Sequence, residues 1–279
     1  MMLKVEFDVV SLVTGYLPMF TGHLVQGLFL HTIEKEDPNL SKQLHDVNAI
    51  RPYAVIPLHP MGFKKRLKSG MWEIEASKSY RFGFSILDER LEKTIMDILL
   101  SVVDGNLKLG VLDFHVHQIN FNKLSMEELL REELKKKHDD NIIRFKFLTP
   151  AQFKEKAKNY PTILPVPRLV FTNLARIWNT FSEVRVYLED FKEWVEKNVY
   201  VREYKIVTKE VDIGKAEKIV GFKGHVGFLI KDEKYKGWLY VLSRFAEFSN
   251  VGVKRTRGLG VVRLLRYLRK LDISSPHNY

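Results

Sequence analysis

One segment, Asn250-Val-Gly-Val-Lys-Arg-Thr-Arg-Gly-Leu-Gly-Val-Val-Arg263, has the spacing most suggestive of chemistry. Gly252, Gly258 and Gly260 bracket the cations Lys254, Arg255 and Arg257. Glycine lets backbone N–H groups approach a ligand closely, and cations between them suit phosphate oxygens. A Walker loop would need G-x-x-x-x-G-K-[ST] between a strand and a helix. Here no Lys-Ser/Thr follows the glycines, and the segment runs from a helical stretch into a strand-like one. The same order of elements excludes the dinucleotide-binding fingerprint. Two readings stay open: a glycine-rich helix end followed by a turn, and a backbone cradle for RNA phosphates. The density of positive charge favours the second.

Histidine supplies the other chemistry, since its imidazole exchanges a proton near neutral pH. His45 falls at a helix end in Leu44-His45-Asp46, and His31 falls on the preceding helical stretch. Without further context each also fits a structural role, His45 as a solvated helix end and His31 as interface packing. His115 and His117 alternate on a strand and so share a face, as a metal pair would. No third ligand is near in sequence, and neither a metal nor another cofactor is expected. Lys64, Lys65 and Arg66 lie on what reads as a hairpin, either tracking a phosphate backbone or forming an exposed basic turn. Phe82 and Phe84 share a strand face without the RNA-recognition consensus around them, and they read as core.

The bulk properties narrow the partner. The chain has 279 residues, 45% hydrophobic and 28% charged, with a formal charge of +11. That composition belongs to a globular protein with a basic excess suited to a polyanion. From Lys254 to Lys270 there are seven basic residues and no acidic one, and Arg51–Arg81 repeats the bias against only Glu73 and Glu75. The absence of cysteine excludes disulfides, cysteine-ligated zinc and thiol catalysis. No signal-peptide pattern or membrane-length apolar run is present, so a cytoplasmic location without a membrane partner is expected.

Periodicity supplies the elements that must hold these groups. Residues 2–10 alternate as a strand, and a helix runs from Thr21 to about Lys35 with Leu24, Leu28 and Ile33 inward. A short helix over 39–46 follows. Strands are expected over 53–58 and 71–87, a helix over 88–103 and a strand over 107–121. Ser125-Met-Glu-Glu128 is a capping box opening an exposed helix that ends in Lys135-Lys136-Lys137. Beyond it come a strand over 141–148, helices over 169–181 and 188–198, strands over 200–211 and 218–230, a helix over 238–248 and a strand over 260–268. Each half therefore reads β-α-β-β-α-β, the ferredoxin-like pattern. The expected fold is α+β, two tandem ferredoxin-like (RRM-like) domains at 1–124 and 141–279 joined by a linker helix at 125–140.

The glycine loop, the paired folds and Gly221-Phe-Lys-Gly-His-Val-Gly227 together resemble the CRISPR-associated endoribonucleases of the RAMP superfamily, in particular the repeat-processing Cas6 branch. The segments 26–33 and 38–46 also resemble that family's N-terminal helical region. The resemblance implies binding and metal-independent cleavage of CRISPR repeat RNA in precursor transcripts, by attack of a 2′-hydroxyl that leaves a 2′,3′-cyclic phosphate and a 5′-hydroxyl. It makes His45 the leading general acid or base, with His31 second. Arg51 falls near a position where relatives carry a catalytic lysine; a guanidinium stabilises phosphorane charge but does not donate the proton. Gly252, Lys254, Arg255, Arg257, Gly258, Gly260, Lys64, Lys65 and Arg66 are the implied RNA-binding residues. The implied partner is repeat RNA, met as a monomer or a homodimer. The alternatives are a non-catalytic RAMP subunit holding RNA in a CRISPR effector complex and a general nucleic-acid-binding module.

Overall fold

The computed structural model describes residues 1–45, 50–100, 105–155 and 158–265. Asp46, the end of the helix expected to Val103, and the strand residues and cations beyond Leu265 lie outside them. The N-terminal half runs β1 (Met2–Ser11), β2 (Gly15–Leu17), α1 (Gly22–Glu36), α2 (Pro38–Leu44), β3 (Tyr53–Pro60), β4 (Arg66–Lys68), β5 (Met71–Ile74), β6 (Ser79–Ile86), α3 (Glu89–Leu100), β7 (Asn106–Leu109) and β8 (Leu112–Leu124). After α4 (Met126–Lys135), the C-terminal half runs β9 (Ile142–Ala151), α5 (Pro167–Phe181), α6 (Leu188–Asn198), β10 (Val199–Asp212), β11 (Lys218–Ile230), α7 (Lys236–Ser249) and β12 (Val262–Leu265).

The two large sheets repeat one arrangement. The first has the order β3-β6-β1-β8-β7 and the second β10-β11-β9-β12. Counting only the strands of each β-α-β-β-α-β unit, both read second-third-first-fourth, and all the pairings are antiparallel. Tandem ferredoxin-like folding, expected from the sequence, is what the chain adopts.

Strict alternation decides which face is covered. In β1, Leu3, Val5, Phe7 and Val9 enter the N-terminal core with Phe29, Tyr53, Phe82 and Phe84. Phe7 stacks on Phe82 at 5.1 Å, so Phe82 and Phe84 are core residues as expected. In the second sheet Phe145, Phe147, Val226 and Phe228 meet α5 and α7 through Phe171, Leu174, Leu242 and Phe245.

Three local readings differ. The stretch 71–87 is not one strand: Ser77 takes φ 60° and separates β5 from β6, which join different sheets. The β5 portion pairs with β2 and β4 in a small three-stranded sheet. The stretch 107–121 folds back at Gly110 (φ 63°) into the β7–β8 hairpin. The helix α4 is capped as expected, with Ser125 Oγ accepting from Glu128 N–H at 3.4 Å, yet it is not a free-standing exposed helix. Leu129 and Leu130 are buried in the C-terminal core, and Arg244 of α7 holds Glu132 and Glu133, each at 2.7 Å. Among the described residues no helix is long and apolar enough to cross a membrane.

Candidate nucleic-acid interface

The glycine loop closes the seam between the halves. Helix α7 ends at Asn250, whose Nδ2 donates to the Val55 carbonyl at 3.0 Å, across 195 residues. A single 3-10 turn follows at Arg255–Arg257 and packs against α1 and β3. Gly258 (φ 79°) touches the Pro57 ring and Gly22; a Cβ there would lie 2.5 Å from Pro57 Cγ. On the facing helix, a Cβ at Gly22 would lie 2.0 Å from the Arg257 carbonyl oxygen. Two glycines are thus required for two backbones to meet.

This differs from the open phosphate cradle suggested by the sequence. Gly252 N–H donates to Asn173 Oδ1, Gly258 N–H to the Arg255 carbonyl and Gly260 N–H to the Pro150 carbonyl. Those amides are engaged within the protein. Arg255 also turns inward, donating to the carbonyls of Ser249 at 2.7 Å and Arg51 at 3.2 Å. Burial lowers its pKa to about 10, so it stays charged at neutral pH while serving the seam. Lys254 and Arg257 reach solvent in part, and both pair with Glu217 of the turn between β10 and β11.

The seam brings the candidate acid–base region to the loop. His45 caps the C-terminus of α2, exposed, with its N–H bonded to the carbonyls of Ser41 and Lys42. Its carbonyl accepts from Arg51 Nη2 at 3.4 Å, and Arg51 Nη1 donates to Thr256 Oγ1 at 3.3 Å. His45, Arg51 and the loop therefore form one linked group. His31 lies on the exposed face of α1. Sequence reasoning missed the centre of this group, Tyr53, which it treated as the start of a strand. The phenol is fully buried, accepts from Gln26 Nε2 at 2.9 Å and hydrogen-bonds with Thr256 and Arg51. Burial raises its pKa, so it remains a neutral hydrogen-bonding hub.

Lys64, Lys65 and Arg66 stand elsewhere, beyond the far end of β3. The β4–β5 hairpin turns at Ser69 and Gly70, both with positive φ. Lys64 is exposed, and Arg66 lies 4.0 Å from Glu73 and 3.6 Å from Glu75. Lys65 keeps its ammonium 3.9 Å from the Trp72 ring centroid and donates to the Met19 carbonyl, although the residue as a whole is exposed. Burial of the ammonium, and next the charge of Lys223, lower its pKa to about 8.

Lys223 leads to a second feature that the sequence did not reveal. Register aligns Lys205 with His225, His225 with Lys146 and Lys146 with Arg263, a basic row across all four strands of the C-terminal sheet. Lys223 and Lys209 lie on the same face. Burial and then the charges of Lys209 and Lys146 lower the pKa of Lys223; burial, Lys146 and Lys205 do the same for His225. Lys223 and His225 sit inside the Gly221–Gly227 segment, where alternation with buried Phe222 and Val226 was a usable signal. His115 and His117 are exposed, with His115 Nδ1 3.2 Å from Asn106 Oδ1. No group of three or more potential metal ligands gathers among the described residues.

Known proteins share this arrangement in sequence and in fold. Residues 145–262, which hold both the sheet face and the loop, match the family model described as CRISPR-associated endoribonuclease Cas6. Over that stretch the chain is similar to the Cas6 family. A CRISPR-associated endoribonuclease Cas6 of Streptococcus thermophilus is 22% identical over 193 residues, 68% of this chain and 77% of the relative. A Cas6 of Mycobacterium tuberculosis is 26% identical over 122 residues, 43% of this chain and 38% of the relative. Among solved structures, a Cas6 product complex superposes with a TM-score of 0.77 at 23% identity, covering 95% of this chain and all of that one. A Thermus thermophilus Cas6 gives 0.68 at 22% identity, over 95% and 98% of the two chains. At these identities the structural likeness concerns the fold, which is shared over 95% of this chain.

Proposed function

We propose that this chain is an endoribonuclease that binds and cleaves CRISPR repeat RNA in precursor transcripts. The observation that supports this reading is the link from the His45 carbonyl through Arg51 to Thr256, which ties the end of α2 to the loop, Arg51 and Thr256 lying 205 residues apart in sequence. The similar proteins named above are Cas6 endoribonucleases, one of them in a product complex.

In the proposed reaction the RNA 2′-oxygen forms a bond to the adjacent phosphorus and the bond to the 5′-oxygen breaks. One general base takes the 2′-hydroxyl proton and one general acid supplies a proton to the departing 5′-oxygen. The products are a 2′,3′-cyclic phosphate and a 5′-hydroxyl, formed without a metal ion. His45 is the proposed acid or base, and His31 is the second candidate. Arg51 is placed to stabilise the phosphorane charge, and it does no proton transfer. The basic sheet face and the β4–β5 hairpin hold the RNA backbone away from the cut.

The test is repeat RNA incubated in EDTA beside the same RNA carrying one 2′-deoxy nucleotide at the cut site. Cleavage of the first and none of the second is expected. A need for metal, or cleavage indifferent to the deoxy substitution, overturns the mechanism; binding with no cleavage points to a non-catalytic RNA-holding subunit. His45→Ala should slow single-turnover cleavage by roughly 100-fold or more without weakening RNA binding.

A further inference from the structure

Glu217 stands where the loop's two solvent-reaching cations converge. Its Oε1 lies 2.7 Å from Lys254 Nζ and its Oε2 lies 3.0 Å from Arg257 Nη1, one cation on each oxygen. That is the pattern two non-bridging oxygens of a phosphodiester would make with the same side chains. The site is open to solvent: the side chains of Glu217 and Lys254 are each 40% exposed and that of Arg257 is 22% exposed. The third cation of the loop, Arg255, is buried and committed to backbone carbonyls, so it does not compete for the same anion.

The ion pairs are not what docks this turn. Ile213 and Ile219, which flank the turn, are buried with Leu259 and Phe20 in an apolar cluster. Arg257 Nη1 also donates to the Ile213 carbonyl, independently of the carboxylate. Partly exposed ion pairs add little to stability, whereas this apolar anchor is dry. The turn that carries the glutamate closes through a bond from Glu217 N–H to the Gly214 carbonyl at 3.2 Å. Gly214, Lys215 and Ala216 take φ values of 89°, 57° and 57° in succession, an unfavourable conformation for the two non-glycine residues. Gly214 lies against the His23 ring, where a Cβ would come within 3.0 Å. Because the apolar anchor already docks the turn, the carboxylate set between two partly exposed cations is not needed for packing.

Building on the RNA-binding reading, we infer that Glu217 is a specificity-determining residue: its carboxylate holds the seat of an RNA phosphodiester between Lys254 and Arg257 and yields it only to RNA that engages several cations at once. One carboxylate leaves these two cations with a net positive charge, so the seat still attracts a phosphate. A short or ill-fitting polyanion must displace Glu217 with little other gain. An RNA that also lies along Lys223, His225, Lys146 and Arg263 gains enough elsewhere to do so. Glu217 thus lowers the affinity for arbitrary RNA more than that for the proper substrate.

The test compares wild type with Glu217→Gln for binding repeat RNA and an unrelated single-stranded RNA of equal length, across a salt series. Glu217→Gln should bind the unrelated RNA about 10-fold tighter, with a salt slope steeper by up to roughly 1.4 for two newly available phosphate contacts. Repeat RNA should gain less, so discrimination falls. Adding Lys254→Gln to that variant should cancel the gain, and the melting temperature should move little, since the apolar anchor stays. Equal or weaker binding of both RNAs by Glu217→Gln overturns the inference while leaving the RNA-binding reading intact. Wild-type protein that binds neither RNA overturns both.

Discussion

The seam around the glycine loop and the uncovered face of the C-terminal sheet are both rich in positive charge, and they use it in opposite ways. In the seam, Arg255 gives its N–H groups to the Ser249 and Arg51 carbonyls, and Lys254 and Arg257 share one carboxylate. There the cations have protein acceptors. On the sheet face, Lys205, His225, Lys146 and Arg263 are ranked side by side, and burial, followed by the neighbouring lysines, depresses the pKa values of Lys223 and His225. Charge committed to backbone carbonyls, as in Arg255, builds structure, while charge left near solvent beside its own kind invites a polyanion. The two regions carry similar sequence-level signals, and only their partners tell them apart.

The sharpest way to break this contrast is Arg255→Ala. If the seam is structural, the substitution leaves a cavity and takes the donor from the buried Ser249 carbonyl, and it should lower unfolding stability by about 3 kcal/mol. Denaturant titration measures this. A loss of RNA affinity at unchanged stability would instead make Arg255 a ligand-binding residue. Lys223→Gln should do the reverse. It should weaken RNA binding roughly tenfold at low salt and reduce the salt slope by about 0.7, with the melting temperature unchanged or higher because a repulsion is removed.

The smallest effect concerns pH. Lys65 is held to a pKa of about 8 by burial and by Lys223, below its ordinary value of 10.5. Between those two values the unfolded chain keeps a proton that the native chain has released, so this group makes stability rise with pH across that window. For binding the sign is opposite. As pH rises through about 8, Lys65 loses its charge, and RNA affinity should fall severalfold between pH 7 and 9. The groups around it that also bear on the local charge are Lys223 and His59, the latter lowered by burial. Lys65→Gln should flatten the profile; an undiminished pH dependence would assign it to other groups.

Much of this architecture was legible because periodicity is local. The helix over 188–198 and the strand over 218–230 have the limits that apolar spacing gave them. The small sheet was not legible: β2 and β4 have only three residues each, and the break at Ser77 carries neither glycine nor proline. At the site, the glycines advertised an unusual backbone but not what approaches it. Gly22 and Gly258 touch across 236 positions, a relation no local pattern encodes. Tyr53 looked like a strand residue because it is one; only the arrival of Gln26, Arg51 and Thr256 makes its hydroxyl a hub. The basic row likewise depends on register, which alternation along single strands leaves open.

The meeting of Gly22 with the Arg255–Arg257 turn also sets an order of events during synthesis. At about 5–20 residues per second, the ribosome makes Arg51 some 10–40 s before the Arg255 that grips its carbonyl. Through that interval α1 and β3 wait with one flank unanswered. The nascent N-terminal half can hold its own sheet, but the group linking His45 to Thr256 cannot exist until the last glycines leave the exit tunnel. A chain stalled before them would have the end of α2 and no loop beside it.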